Sequence, residues 1–322
     1  MRKREFTSIF ATEMGQYLDD RISLGFKETS YLSVLRVFDR FCSSQALSAP
    51  VFTREMAERW VKLRNEEAPK TRAGRVNIVK NFLLYLLRKG YDVHVPRDIV
   101  RKTSQSKPHI YSEDEIERYF AAVDSIDSQN RKIRVQLPLL FRILYCCGTR
   151  INETLGLRKK DIDLDAGILK LVETKNSRER YVVLGDDLAM MMRQFAIKTF
   201  YLLDNDDYIF TSKFNRRYDH KSIYKYHQLI LRQAGIPFVG GGKGPRLQDW
   251  RFTFAAHAFK RMAESGMDMY VALPILSAYL GHQSIYSTEH YIRLTMSTFP
   301  HIELKFSTVV ERILGEQNHE NY

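Results

Sequence analysis

A histidine and a tyrosine nine residues apart are of types that could do chemistry together. His282 and Tyr291 lie in the stretch 280–294, LGHQSIYSTEHYIRL, where Gly281 signals the end of a helix. A tyrosine phenol has a free pKa of about 10, so it is protonated at neutral pH and is a poor nucleophile. It becomes a nucleophile where cations stabilise its oxyanion and the phosphate that it attacks. The candidate cations are Arg150, Lys175 and Arg251.

The composition describes a globular protein with a basic surface. A length of 322 residues is enough for two domains with ordinary hydrophobic cores. Contents of 44% hydrophobic and 27% charged residues are typical of a globular protein. Its net charge of +12 favours a polyanionic partner, with a merely solvated basic surface as the alternative. No signal peptide and no apolar stretch of membrane-spanning length is found in the sequence, so no membrane partner is expected.

The three cysteines indicate the redox environment. Cys42, Cys146 and Cys147 form no CxxC pair and no even disulfide framework. A reduced, cytoplasmic compartment is therefore the expected location. Cys146 and Cys147 fall in an apolar run, which predicts that both lie in the core.

The first ninety residues predict helices only. Apolar residues recur at helical spacing in four segments, and Gly90 ends the fourth. The segments are 10–18, 31–38 after a possible N-cap at Thr29, 53–60, and 71–89. Cations near the start of the fourth helix oppose its macrodipole, and phosphate contact would explain them. A solvated basic face is the alternative. These candidate phosphate contacts are Lys70, Arg72, Arg75 and Lys80.

A basic linker is predicted to follow. Prolines and polar residues interrupt the helical pattern, and Arg101 and Lys102 are further candidate phosphate contacts there. The sequence SEDE at 112–115 predicts a capping box and the start of a new helix. We therefore expect an N-terminal helical domain over 1–94, a linker over 95–110 and a second domain over 111–322.

In the second domain, two of the candidate cations, Arg150 and Lys175, each follow a predicted helix or strand. An apolar helix over 135–147 leads to Arg150, and Glu153 one turn later can hold its guanidinium. A surface ion pair is the alternative. Runs at 168–174 and 180–184 predict a β-hairpin with Lys175 at the end of its first strand. Taken alone, a hairpin lysine is most often only solvated.

Further along, the chain predicts a short strand at 208–211 and a helix with an apolar stripe. The stripe contains His227, which is expected to pack in the core, beside Ile223, Ile230 and Leu231. The loop 240–244, GGGKG, lacks the strand–loop–helix context of a phosphate-binding loop. It leads to a predicted helix start that carries Gln248, Asp249 and Arg251.

Five motifs in this order resemble a tyrosine recombinase of the phage-integrase family. They are GTRINETLGL at 148–157, the hairpin Lys175, QDWRFTFA at 248–255, LGH at 280–282, and Tyr291. The resemblance covers the second domain, and the first domain is similar to the family's helical, SAM-like core-binding domain. It implies a mainly α fold with a small antiparallel β-sheet, in which the catalytic domain is mixed α/β.

The resemblance also implies a role for each motif residue. Tyr291 would attack the scissile phosphate and form a 3′-phosphotyrosyl link. Arg150 and Arg251 would bind the non-bridging oxygens, for which the guanidinium fork is suited. Lys175 would protonate the leaving 5′-hydroxyl, and His282 would donate a hydrogen bond to the phosphate. Glu153 and Asp249 would support the site. Neither a metal nor another cofactor is expected.

Gln248 departs from the family pattern, which most often has histidine there. Glutamine donates and accepts hydrogen bonds but cannot shuttle a proton at neutral pH. We expect Gln248 to be a positioning donor in a slow but active enzyme. His257 and His290 lie nearby in the sequence and could substitute, although helix packing is the favoured role for both.

The resemblance implies site-specific cleavage and rejoining of double-stranded DNA at inverted-repeat core sites. A homotetramer would act in the integration, excision or transposition of a mobile element. The amphipathic run 302–314 would form a terminal helix, docked on a neighbouring protomer or on its own domain. Two other classes stay open: a type IB topoisomerase, and a catalytically impaired accessory DNA-binding homologue.

Overall fold

The chain forms two compact units that are mainly helical. This computed structural model describes residues 5–26, 28–45, 47–97, 107–173, 178–238, 244–281 and 298–299. The units are Met1–Gln105 and Ser106–Tyr322, and the division between them falls inside the segment predicted as a linker. Among the residues described, no helix combines the length and the apolar character that crossing a membrane requires.

The first unit packs its helices around an aromatic core. Phe38 and Trp60 meet edge to face, with ring centroids 4.9 Å apart. Thr53 caps the third helix, because its hydroxyl accepts a hydrogen bond from the Met56 amide. Thr29, a predicted N-cap, instead lies inside the second helix. The helices are α1 (Ala11–Ser23), α2 (Glu28–Ser43), α3 (Arg54–Val61) and α4 (Pro69–Arg88).

The fourth helix confirms its predicted face and end. Val76, Val79, Leu83 and Leu86 are all buried. Gly90 has φ +87°, a left-handed conformation that glycine adopts readily just beyond a helix. The periodicity of the sequence therefore determines which side of α4 faces the core.

The second unit contains the remaining helices. The predicted capping box is confirmed, since the Glu115 amide donates to the Ser112 hydroxyl and the Ser112 amide donates to the Glu115 carboxylate. The helices are α5 (Glu113–Asp124), α6 (Arg131–Cys146), α7 (Ile151–Thr154), α8 (Asp186–Thr199), α9 (His220–Gln233), α10 (Asp249–Glu264) and α11 (Met269–Leu280).

A three-stranded antiparallel sheet of order β1-β2-β3 accompanies these helices. Its strands are β1 (Ile162–Asp163), β2 (Ile168–Glu173) and β3 (Arg178–Val183). The β2–β3 pair confirms the predicted hairpin, and Leu171 faces Arg180 across it. The predicted strand at 208–211 is wrong as a sheet strand. Its ends make isolated bridges, Arg158 with Tyr208 and Thr211 with Arg217.

The helix that carries Arg251 is anchored by the core. Trp250 is fully buried, and its ring stacks on Tyr111 with centroids 4.0 Å apart. Burial of a large apolar side chain typically contributes about 1.5–3 kcal/mol, so this contact fixes the start of α10. The cysteine prediction is half correct, because Cys147 is buried whereas Cys146 is exposed.

Candidate active site

Arg150 begins a short helix whose third residue holds it. As the N-cap of α7, Arg150 has an extended backbone, and its amide donates to Glu153 Oε2 at 2.8 Å. Its guanidinium Nη1 donates to Glu153 Oε1 at 2.7 Å. Both the backbone and the side chain of Arg150 are therefore held by one carboxylate. The Arg150 side chain is 32% exposed, so a part of it faces solvent.

Glu153 binds a second arginine that the sequence analysis did not identify. Arg180 on β3 donates from Nη1 to Oε1 at 2.9 Å and from Nη2 to Oε2 at 2.7 Å. Burial acts to raise the pKa of the Glu153 carboxyl, but the hydrogen bonds and the charge of Arg180, together with the hydrogen bonds of Arg150, lower it to about 2. Glu153 is therefore ionised at neutral pH and lies between two cations.

The alternation of residues along β3 indicates that Arg180 lies on the buried face of the strand. Residues on a strand alternate between two faces, which places Arg180 on the same face as Val182 and Leu184. Val182 and Leu184 are buried, and so is Leu171 opposite Arg180. An arginine on an apolar strand face requires a carboxylate partner in the interior.

Arg251 connects the segments that precede Arg150 and His282. It is 1% exposed, and its guanidinium donates to the Gly148 carbonyl at 2.8 Å and to the Leu280 carbonyl at 2.5 Å. Gly148 has φ +57°, and a Cβ there would lie 2.3 Å from Cδ1 of Phe254. Only glycine allows this close approach to α10.

Gln248 and Asp249 occupy the start of α10 in different environments. The Gln248 side chain is exposed, while its carbonyl accepts the Arg251 amide at 3.1 Å. Asp249 is fully buried and accepts hydrogen bonds from the Arg246 amide at 2.9 Å and the Arg246 Nη2 at 2.8 Å. An acidic residue in the first turn also suits the helix macrodipole. Asp249 thus holds the segment that presents Gln248.

The end of α11 reaches the same cluster. Gly281 has φ +67°, and a Cβ there would lie 3.1 Å from Arg180 Cδ and 3.3 Å from its Nη1. The structure therefore brings Arg150, Glu153, Arg251 and the residue before His282 together. The other predicted site residues, namely Lys175, His282, His290 and Tyr291, lie outside the described residues.

Two histidines of this unit, His257 and His227, are engaged in packing. His257 Nδ1 lies 3.2 Å from the Tyr145 hydroxyl; burial, followed by the charges of Arg261 and Lys260, lowers its pKa. His227 is fully buried, and its Nδ1 lies 2.7 Å from the Tyr119 hydroxyl. Burial lowers the pKa of His227 to about 3, so it is neutral. The packing role predicted for His227 is confirmed.

Of the candidate phosphate contacts in the first unit, Arg75 has a structural role. Its guanidinium is buried against Glu67, with Nη2 to Oε2 at 2.8 Å, and it also donates to the Trp60 carbonyl. Burial of a paired charge leaves it unavailable to an external phosphate, which corrects the expectation for Arg75.

The other candidates differ in exposure. Lys70 is exposed, whereas Arg72 and Lys80 are half-buried. Arg72 Nε donates to the Val61 carbonyl at 2.7 Å. Arg101 and Lys102 lie outside the described residues. Among the residues that the structure describes, no group of His, Cys, Asp and Glu is arranged to hold a metal ion.

Comparison with known proteins identifies the family. The profile of the phage integrase family matches residues 110–298, which is more than half of the chain. A putative integrase/recombinase y4rB of Sinorhizobium fredii is 29% identical over 300 residues, covering 88% of this chain and 93% of its own.

Two solved structures share the fold. XerH site-specific recombinase bound to a palindromic difH substrate matches with a TM-score of 0.62 at 19% identity, covering 87% of this chain and 79% of its own. A lambda integrase tetramer bound to a Holliday junction matches with a TM-score of 0.58 at 16% identity, covering 89% of this chain and 78% of its own. The resemblance seen in the motifs is thus confirmed: the chain belongs to the phage integrase family and is a tyrosine recombinase.

Proposed function

We propose that this recombinase cleaves DNA by attack of Tyr291 on the scissile phosphate. The Tyr291 phenol loses its proton to solvent, a bond forms between its oxygen and phosphorus, and the bond from phosphorus to the 5′-oxygen breaks. Lys175 supplies the proton to that leaving oxygen. The resulting 3′-phosphotyrosyl link conserves the energy of the phosphodiester, so the reverse attack reseals the strand without ATP.

The arrangement of Arg150 and Arg251 carries this proposal. Arg251 binds the Gly148 carbonyl two residues before Arg150, and Glu153 holds Arg150. The two guanidinium groups are therefore positioned before any substrate arrives. Preorganised donors of this kind typically lower a barrier by about 2.7–4 kcal/mol each when they face developing charge. In this proposal the arginine charges do the work that a metal ion does in other phosphoryl-transfer sites.

Gln248 and His282 complete the set of phosphate ligands. Gln248 is exposed at the start of α10, where its amide can donate to a phosphate oxygen but cannot move a proton. His282 is the next residue after Gly281, and in this proposal its ring donates a hydrogen bond to the phosphate. Asp249 supports the start of α10 from the interior through Arg246. Tyr291 is the proposed nucleophile for the phosphate that these groups bind.

The proposed DNA partner follows from the charge of the chain and from the complexes that structurally similar recombinases form. The chain carries a net charge of +12, which favours a polyanion. XerH is described with a palindromic difH substrate, and lambda integrase as a tetramer on a Holliday junction. We therefore propose inverted-repeat core sites and a homotetramer at synapsis. The predicted tail helix over 302–314, docked on a neighbouring protomer or on its own domain, lies outside the described residues. Integration, excision or transposition of a mobile element is the proposed setting. The proposed backbone contacts are Lys70, Arg72, Lys80, Arg101 and Lys102.

Covalent capture tests the proposed chemistry. A duplex containing the preferred inverted-repeat site, first selected by binding, is nicked beside the scissile phosphate so that cleavage releases a short fragment. The parent chain should form a protein–DNA adduct that Tyr291→Phe abolishes while retaining DNA binding. Binding without an adduct in the parent would instead indicate an accessory protein. Supercoil relaxation by the monomer, without strand exchange, would indicate a topoisomerase.

A further inference from the structure

Arg180 contacts both sides of the candidate site from the buried face of β3. Its guanidinium makes a two-bond fork with Glu153, at 2.9 and 2.7 Å. Its stem approaches Gly281, where a Cβ would lie 3.1 Å from Arg180 Cδ. The Arg180 side chain is only 14% exposed, so its position is fixed by these neighbours. One side chain thus joins the carboxylate behind Arg150 to the residue before His282.

The charges around Glu153 explain why a second arginine is needed there. Glu153 has one negative charge and is bound by both Arg150 and Arg180. With Arg180 present, the group of three has a net charge of +1. Without Arg180, the Glu153 carboxylate would oppose Arg150 alone and cancel the charge offered to a phosphate. The buried position of Glu153, whose side chain is 5% exposed, makes this cancellation stronger than it would be in water.

The approach to Gly281 gives Arg180 a second effect. Gly281 adopts φ +67° directly after the last residue of α11, Leu280. The Arg180 stem packs directly against this glycine. A shorter side chain at 180 would leave a gap at the turn, and a longer residue at 281 would push Arg180 away from Glu153.

We propose that Arg180 is a positioning residue of the recombination reaction: it shares the charge of Glu153 so that Arg150 attracts the scissile phosphate, and it packs against Gly281. This inference rests on the proposed cleavage by Tyr291. Arg180 need not touch the DNA, since it acts through Glu153 and Gly281.

The test separates cleavage from binding. Arg180→Gln should lower the rate of adduct formation at saturating DNA by about 10–100-fold, the usual effect of removing a residue that orients a ligand. Its Kd for the same duplex, measured by mobility shift, should stay within about threefold of the parent value, because Arg180 makes no DNA contact in this proposal. Arg180→Lys keeps the charge but loses the fork, and should give an intermediate rate.

A double variant shows whether the uncompensated charge of Glu153 causes the slower cleavage by Arg180→Gln. In Arg180→Gln/Glu153→Gln the carboxylate that would cancel Arg150 is gone, so its rate should exceed that of Arg180→Gln by about tenfold. Arg142→Gln is the matched control, because Arg142 makes an equivalent two-bond fork with Asp124 at 2.7 Å on both arms. It should cleave at the parent rate. If Arg180→Gln fails to fold while the double variant folds and cleaves, the same charge account is supported.

Three results would overturn the inference. One is an Arg180→Gln rate equal to that of the parent. Another is a double variant as slow as Arg180→Gln, which would show that the carboxylate is not responsible. The third is a parent chain that binds DNA but forms no adduct, in which case the proposed function itself fails and the positioning role fails with it.

Discussion

Replacing Glu153 with glutamine should destabilise the second unit in a way that depends on pH. The pKa of this carboxyl is lowered from its usual 4.5 to about 2, because the hydrogen bonds of two arginines and the charge of Arg180 outweigh its burial. One pKa unit corresponds to about 1.36 kcal/mol, so ionised Glu153 contributes about 3 kcal/mol to the free energy of unfolding at pH 7. Glu153→Gln should therefore lower that free energy by about 3 kcal/mol.

The direction of the pH effect follows from the sign of the shift. A carboxyl whose folded pKa is depressed stabilises the protein above its unfolded pKa, and this contribution is lost as pH falls towards the folded pKa. The difference between parent and Glu153→Gln should therefore be nearly constant above about pH 5 and shrink to about 1 kcal/mol at pH 3.

The two tryptophans allow the free energy of unfolding to be measured for the second unit alone. Trp60 lies in the first unit and Trp250 in the second, and both are buried. In a Trp60→Phe background, fluorescence during urea unfolding reports the second unit through Trp250. The control is Glu179→Gln on the same hairpin, because the Lys170–Glu179 pair is solvent-exposed, at 35% and 48%, and should change stability by less than about 1 kcal/mol. A Glu153→Gln difference that is equally large at pH 7 and pH 3, or no larger than that of Glu179→Gln, would refute the reasoning.

Three further predictions test other parts of the structure. Gly148→Ala should destabilise the second unit by about 1–3 kcal/mol in the same urea assay, because its Cβ would meet Phe254; Phe254→Ala in addition should recover part of the loss. Gln248→His should raise the adduct rate at saturating DNA, since histidine can move a proton, and an unchanged rate would show that this position is not limiting. Lys70→Gln should lower the slope of log Kd against log salt by about 0.9, whereas Arg75→Gln should leave the slope unchanged and destabilise the first unit by about 3–5 kcal/mol. Equal slopes for these two variants would contradict the assignment.

Local sequence signals are sufficient to predict several helices of both units and the hairpin of the second unit. The capping box at Ser112, the apolar faces of α4 and α9, and the β2–β3 hairpin were all predicted, because each follows from spacing within a single segment. The motif at 148–157 likewise predicted that Glu153 contacts Arg150. Such features depend on neighbours within one or two turns of the chain.

The structural roles of Arg180 and Arg75 are not predicted from the sequence, because each depends on contacts with residues outside its own helix or strand. Arg180 is 27 residues from Glu153, and a strand residue alone does not reveal which carboxylate it meets. Arg75 was assigned to phosphate because it is a cation near a helix start. Its spacing already argued otherwise: Val79 lies four residues later and Phe82 seven, and both are buried, which places Arg75 on the core face.

Arg251 shows why stability and chemistry are difficult to separate in this site. Its guanidinium binds the carbonyls of Gly148 and Leu280, so the segments that lead to Arg150 and His282 are both aligned on one side chain. A lysine has a single ammonium group in place of the planar fork, and it cannot reproduce two such contacts in fixed directions. Replacing Arg251 should therefore displace the other proposed phosphate ligands as well as remove one. Losses measured for Arg150 and Arg251 singly should not add in the double variant, since residues that act as a unit are not independent.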